Sequence, residues 1–405
     1  MTRLSMVLLL VFCVTDHVGG QTHTFIIGPV QEDMRNVLLE TRVPKPSAVT
    51  SPILRDGKSG KAVPCQIFES LVGQDVEVLW LVDQLAKGEI REWKFSWTEE
   101  ETAPRVRIQK AADGGKYAVQ IDGQDFTTYH VGSDARIPFF YPLLVDGQGL
   151  TRSFPMRKGV PGENLDHAHH ISLWFAHGLV NDADFWHGKE NRVKQVQLVL
   201  KEEGPVFGLL RERYEWLVGG ENMKVLDDQR TYRFIPLADG GRALDVTLKL
   251  KAKVAVKFGD TKEGSFAVRV AGSIKESSGG VLSSSAGKSG SSETWGKRAS
   301  WMDYSGKLSG KNYGLAILDH PGSYGHPVHW HARGYGLLAA NPFGHHHFYR
   351  DDSRDGSLSL APGEIVTFRY RVIFHRGDAG QANIAESYAG YARSPKVRTY
   401  IGLVK

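Results

Sequence analysis

The chain has 405 residues, 41% of them hydrophobic and 10% aromatic, enough to bury a sizeable core in two or three domains, or in one large β domain with a small companion. Charged residues at 23% argue against disorder, and a net charge of +5 is too mild to imply a nucleic-acid partner. Its 45 Gly and 17 Pro are more turn chemistry than a helical bundle uses.

Residues 1–20 carry Arg3, an unbroken apolar run from Met6 to Val14, and small residues Val18 and Gly20 before Gln21. This is the pattern of a Sec-type signal peptide, too short to span a bilayer. No later segment is apolar enough to cross a membrane, so the mature chain is expected to be exported, to the periplasm or beyond, with no transmembrane segment. Of the two cysteines, Cys13 leaves with the signal, and Cys65 reads as a small buried hydrophobe in a strand.

Residues 21–100 read as a small β domain, since Val76 to Val82 and Ile90 to Trp97 alternate with period two. An acidic linker closes with Pro104. From 105 to 405 the β signal strengthens. Leu244, Val246, Leu248, Leu250, Ala252, Val254, Val256 and Phe258 predict one long ribbon with a wet face and a core face. Val366 to Phe374 repeats the pattern. Residues 276–294 are Ser/Gly-rich and read as a flexible surface loop. Ile384, Tyr388 and Tyr391 predict one helix, capped by Asp378 and ended at Pro395, that covers a sheet face. The expected fold is all-β: a small N-terminal β-sandwich, a large antiparallel two-sheet β-sandwich, and one C-terminal helix.

Twelve of the 16 His fall in two windows. The first holds His167, His169, His170, His177 and His187. The second holds His320, His326, His329, His331 and His345 to His347. If Asp166 to Ser172 is extended, His167 and His169 share a face and His170 takes the other; His329, His331 and Arg333 share a face in the same way. Two such pairs from neighbouring strands can converge on one cleft, with Asp166 or Asp319 orienting a ring. Imidazole titrates near neutrality, so the windows fit acid–base catalysis, a metal site, or a structural hydrogen-bond network. For catalysis the candidates are His169, His170, His177, His331 and Tyr129. For a divalent metal ion they are His167, His169, His329 and His331, although His-Glu-x-x-His is absent. His345 to His347 read as merely exposed.

Trp174 and Trp186 can stack on a sugar ring, Arg333 can pair with a carboxylate such as a uronate, and Arg136 and Asn341 can line the same cleft. No P-loop, dinucleotide fingerprint or Gly-x-Ser-x-Gly is present.

The run Asp166-His167-Ala168-His169-His170-Ile171-Ser172-Leu173-Trp174-Phe175-Ala176-His177-Gly178 resembles a family of exported bacterial proteins. So do Trp295-Gly296-Lys297-Arg298, Trp301 to Gly306, Trp330-His331-Ala332-Arg333-Gly334-Tyr335-Gly336 and Ala339 to Gly344. The resemblance is to PmoA-like proteins, whose label "methane oxygenase PmoA" implies several apolar spans that this sequence lacks. The oxygenase activity is therefore set aside. The expected partner is a carbohydrate or other small molecule. The expected activity is His-based lyase, epimerase or hydrolase chemistry, with a non-catalytic glycan-binding or structural protein, or a metal-dependent enzyme, as the alternatives.

Overall fold

Period-two patterning becomes antiparallel strands throughout the described residues. The computed structural model describes residues 22–46, 51–69, 74–112, 114–132, 135–219 and 223–402. The segment read as an export signal lies outside these residues, and so does Cys13.

A small sandwich packs a three-stranded sheet (Met34–Pro44, Asp75–Leu85, Cys65–Glu69) on a five-stranded one. Its core is aromatic: Phe25 stacks on Trp80 at 5.4 Å and on Phe95 at 5.3 Å. Each such fully buried ring contributes roughly 1.5–3 kcal/mol. Cys65 is buried here, and burial pushes its thiol up to about 12, as expected of an inert hydrophobe. The five-stranded sheet also takes in Val397–Gly402, which pairs with Thr22–Ile27. Residues 397–402, assigned from sequence to the large domain, thus join the small one.

The large sandwich has two sheets. In one, hereafter the site sheet, the strands run in the order His329–Arg333, Leu337–Asn341, Gly264–Arg269, Leu173–His177, Phe139–Val145, Gln124–His130, Lys116–Ile121 and Val106–Lys110. The second sheet is built around Gly208–Val218, Met223–Pro236, Arg242–Ala252 and Ile365–Arg376. Between them Phe175 meets Phe368 at 5.3 Å and Phe266 stacks on Tyr370 at 4.6 Å. The ribbon expected from Leu244 to Phe258 holds to Ala252. Val256–Phe258 then forms a separate strand, paired with Leu358–Leu360. No helix among the described residues is long and apolar enough to cross a membrane.

Residues 276–294 are not a plain flexible loop. They form a 3-10 turn (Glu276–Ser278), a strand (Val281–Ser284) and a short helix (Ser291–Thr294). The Glu276 carboxylate receives Ser291 N–H at 3.0 Å, and the Tyr304 hydroxyl receives Glu276 N–H at 2.6 Å. At Gly280 a Cβ would fall 1.7 Å from the Ile274 carbonyl, so only glycine fits this tight path. The C-terminal helix spans Ile384–Ala392; Asn383, not Asp378, stands at its N-cap position, without a side-chain capping bond, and the Asp378 carboxylate instead receives Gln381 N–H at 2.9 Å. Its buried Ile384 and Tyr388 cover the outer face of the second sheet, and its Gly390 packs against the Arg35 carbonyl of the small sandwich.

Candidate functional site

Strand alternation sorts the site sheet into two faces. Phe175 and Phe266 point into the sandwich, so Trp174, Ala176, Ser265, Ala267 and Arg269 point out. Register carries the outer face across four strands: Trp174 lies opposite Ala267, Ala267 opposite Ala339, and Ala339 opposite His331. At roughly 4.8 Å per strand that row spans about 14 Å. A second row joins Arg269 to Leu337 and Leu337 to Arg333. The middle of this face is floored by small residues, so the loops on either side can lie close over it.

The first His window is one of those loops. It is a turn, not an extended segment: His167 has φ 44°, and His170 N–H donates to the His167 carbonyl at 2.9 Å. The turn brings the three rings together instead of parting them. His167 stacks on His170 at 4.9 Å, and His169 meets His170 edge-on at 4.4 Å. Two buried arginines hold the turn from below. Arg152 donates to the carbonyls of Asp166, His167 and His170. Asp166 Oδ1 accepts from Arg152 at 3.0 Å and from Arg269 at 2.9 Å, while Oδ2 lies 3.1 Å from His167 Nδ1. Burial and the neighbouring Arg269 push Arg152 down to about 10, which leaves it charged.

Arg269 also donates to His170 Nδ1 at 3.0 Å. A guanidinium cannot accept, so the His170 proton sits on Nε2. Burial, then His169 and Arg269, hold His170 far below the usual imidazole range. His169 is pushed down to about 4 by burial and by His187 and His167. Its Nε2 is buried without a partner. His187 reaches this group from the next loop, 4.2 Å from the His169 ring, with its Nδ1 held by Asp184 at 3.2 Å.

The second window supplies the other half. His331 and Arg333 share a face as expected, and Arg333 Nε donates to His331 Nε2 at 3.0 Å. His331 Nδ1 lies 2.9 Å from the Lys262 carbonyl and donates to it. Both ring nitrogens are therefore engaged, which argues against His331 as a free base. Burial pushes it down to about 4. The Arg333 guanidinium lies over Trp295 at 5.1 Å. Asn341 donates to the carbonyls of Thr261 and Lys262, so it fixes the 261–263 loop and does not line a cleft. That loop carries Glu263 into the gap between the windows, with Oε2 3.9 Å from His187 Nε2. Burial raises Glu263, but His331, Lys262 and His187 more than offset this and hold it below the usual carboxylate range. Tyr335 closes the other side, stacked on His167 at 5.1 Å, with Arg269 over its ring at 4.5 Å.

Other expected members lie elsewhere. Tyr129 points into the sandwich, stacked on Phe140 and bonded to the hydroxyls of Tyr214 at 2.7 Å and Tyr232 at 2.9 Å. His177 sits three positions from Trp174, so it takes the inner face, between Phe258 and Phe343, with Nε2 donating to the Gly259 carbonyl. Trp174 and Trp186 are buried 5.1 Å apart beneath His170, with no ring face open to a sugar. Arg136 ties the carbonyls of Phe185, Trp186 and Asn191, and so positions the loop that carries His187.

The four candidate metal ligands also separate. His167 and His169 belong to the turn, His331 is taken by Arg333, and His329 stands with His345 at 4.9 Å. Among the described residues no group of three or more His, Cys, Asp or Glu is arranged to hold a metal ion. His345 to His347 are half-buried on a short helix, where His346 pairs with Asp260 at 2.9 Å. Asp319 does orient a ring, that of His326 at 2.8 Å, away from this face.

Sequence reasoning missed Arg152, Arg269 and Glu263 as site members. Trp295, also missed, lies in one of the motifs that carry the family resemblance; the other three carry no local signal, because long-range register brings them in.

Among solved structures the chain is similar to an alpha-mannosidase from Enterococcus faecalis V583, at 11% identity and a TM-score of 0.43, over 94% of this chain and 46% of that one. It is similar also to a protein in glycosyl hydrolase family 38 from Enterococcus faecalis, at 10% identity and a TM-score of 0.36, over 94% and 47%. The chain spans about half the length of either. No curated protein matches it. Residues 116–389, which hold both His windows, match a family of unknown function, and the chain belongs to that family, DUF6807.

Proposed function

We propose that the outer face of the site sheet is the active site of an exported carbohydrate-active enzyme that works by acid–base chemistry. The observation that supports this is the convergence of the two windows on one face, with the Glu263 carboxylate beside His187 and facing His331. His169 is the base: it is neutral at pH 7, and its Nε2 has no partner. An anionic group on the substrate raises its basicity on binding. Arg333, held over Trp295 by His331, receives that anionic group, a uronate carboxylate. The proton taken at His169 passes to His187, whose ring lies 4.2 Å away and is braced by Asp184, and His187 delivers it to the substrate's leaving oxygen. Export rests on residues 1–20 alone, and the motif resemblance to PmoA-like proteins rests on the residues that build this face.

A second reading is a glycan-binding protein without turnover. It draws on the fact that His331, Asn341 and Arg136 are bonded to the protein itself. The test is incubation with uronate-containing polysaccharides, followed by the ultraviolet absorbance of an unsaturated uronate and by reducing-end release. Turnover that disappears in His169→Ala supports the enzyme. Saturable binding without turnover supports the second reading.

A further inference from the structure

The outer face of the second sheet carries a different chemistry. A cavity of about 500 Å³ lies there, and it joins one of about 560 Å³ through Arg233, Asp245, His320 and Tyr391. Register lays its floor. Arg211 is opposite Thr231, Thr231 opposite Thr247, and Thr247 opposite Arg369, a row of about 14 Å across four strands. Beside it run Arg233 and Asp245, and on the other side Gln229 and Lys249.

In the 500 Å³ cavity the charges do not balance; the adjoining cavity adds Glu40 and Glu77, the latter held by Arg42 at 2.7 Å. Asp245 is the one carboxylate lining the 500 Å³ cavity, and Arg371 holds it with two bonds of 2.6 and 2.9 Å. Arg211, Arg233, Lys249 and Arg369 have no carboxylate within ion-pair distance among the described residues; Glu202 lies beyond Arg211 without pairing to it. The Arg233 Nε–H is buried with no hydrogen-bond partner. His320 accepts Gly322 N–H at Nδ1, so its Nε2 is a further donor. Like charges gathered on one sheet face destabilise it unless an anion sits among them.

We propose that this groove binds an anionic oligosaccharide, one that bears sulfate or carboxylate groups. The guanidinium groups fit oxyanions, and the Thr231, Thr247 and Gln229 side chains between them fit sugar hydroxyls. A single-stranded nucleic acid would need several open aromatic faces for its bases, and the 500 Å³ cavity offers Tyr391 alone. The site is on the opposite sheet from the His face, so it serves to hold a polymer rather than to cleave it. The choice of a sugar rests in part on the carbohydrate reading above, while the anion site stands on its own geometry.

The test is calorimetric titration of the full chain with a sulfated hexasaccharide, a galacturonate hexasaccharide, a neutral glucan hexasaccharide, sodium sulfate and a DNA hexanucleotide. The expected result is binding of the two anionic saccharides and not of the glucan, weakened as salt rises from about 0.05 to 0.5 M. In a His169→Ala/Arg333→Gln background, which disables uronate binding at the His face, Arg211→Gln/Arg369→Gln weakens it by about tenfold or more. Equal binding of the glucan, binding of sulfate or DNA without the saccharides, or full affinity in the double Arg variant overturns the proposal. Turnover at the His face is read separately in the double Arg variant, so failure of one site does not mask the other.

Discussion

The Nε–H of Arg333 donates to Nε2 of His331 at 3.0 Å, and this one bond fixes both residues. It places the His331 proton on Nδ1, toward the Lys262 carbonyl, and it holds the guanidinium over Trp295. An imidazole expected to be a base is a positioning residue instead. Replacing it tests that role. His331→Ala removes an acceptor from a charged donor and should lower stability by about 2 kcal/mol in urea unfolding. It should also raise KM more than it lowers kcat, since the freed Arg333 still reaches substrate but is no longer aimed. A kcat loss with KM unchanged would return His331 to the chemistry.

Asp166 carries the first window. Its Oδ1 bridges Arg152 and Arg269, whose side chains are 2% and 3% exposed. Asp166→Ala leaves two buried cations without their counter-charge. A loss of about 3 kcal/mol is expected, at the low end for a broken buried pair because Asp166 is one-third exposed. Asp166→Asn should recover part of it. Thermal unfolding of the three proteins decides the point, and an Asp166→Ala protein as stable as wild type contradicts the bridging role.

Buried imidazoles set an acid limit. Burial holds His177 down to about 4, against 6.5 when unfolded. A base with a depressed folded value gives stability that is full above pH 6.5 and is lost as pH falls through about 4. The share from His177 is roughly 3 kcal/mol. Stability measured across that window should fall with acid, and His177→Gln should remove its share of the slope. An unchanged slope would mean that the ring is already protonated in the folded chain.

Glu212 works in the opposite direction. It is fully buried between the sheets, bonded to Tyr214 and Gln195, and burial pushes it up to about 7 from 4.5. The folded chain then keeps a proton that the unfolded chain has released, so stability falls as pH rises from 4.5 to 7, by roughly 3 kcal/mol. Glu212→Gln should flatten that decline. If the variant declines as steeply as wild type, the carboxyl is ionised in the interior.

The sandwich was legible because alternation is local. Leu244, Val246, Leu248 and Leu250 declare a core face whatever strand lies beside them, and His331 and Arg333 share a face for the same reason. The inward turn of His177 is local as well, since an odd spacing from Trp174 puts it on the other face of the strand. The turn at Asp166 was not. Its shape is set by Arg152 and Arg269, and the latter lies 103 positions away. Tyr129 was equally hidden, since its partners Tyr214 and Tyr232 arrive from the facing sheet. The Ser/Gly content of 276–294 spoke for mobility, but Glu276, Tyr304 and Ser291 tie that segment down through bonds that composition does not show.

The most direct test of the central claim is turnover of a uronate-containing polysaccharide by the mature chain and by His169→Ala, with folding of each checked by circular dichroism. The expected result is a rising ultraviolet or reducing-end signal with the wild-type chain and a loss of about 10²–10⁴-fold in the variant. No turnover on any uronate polysaccharide, or equal rates for the two proteins, would contradict it.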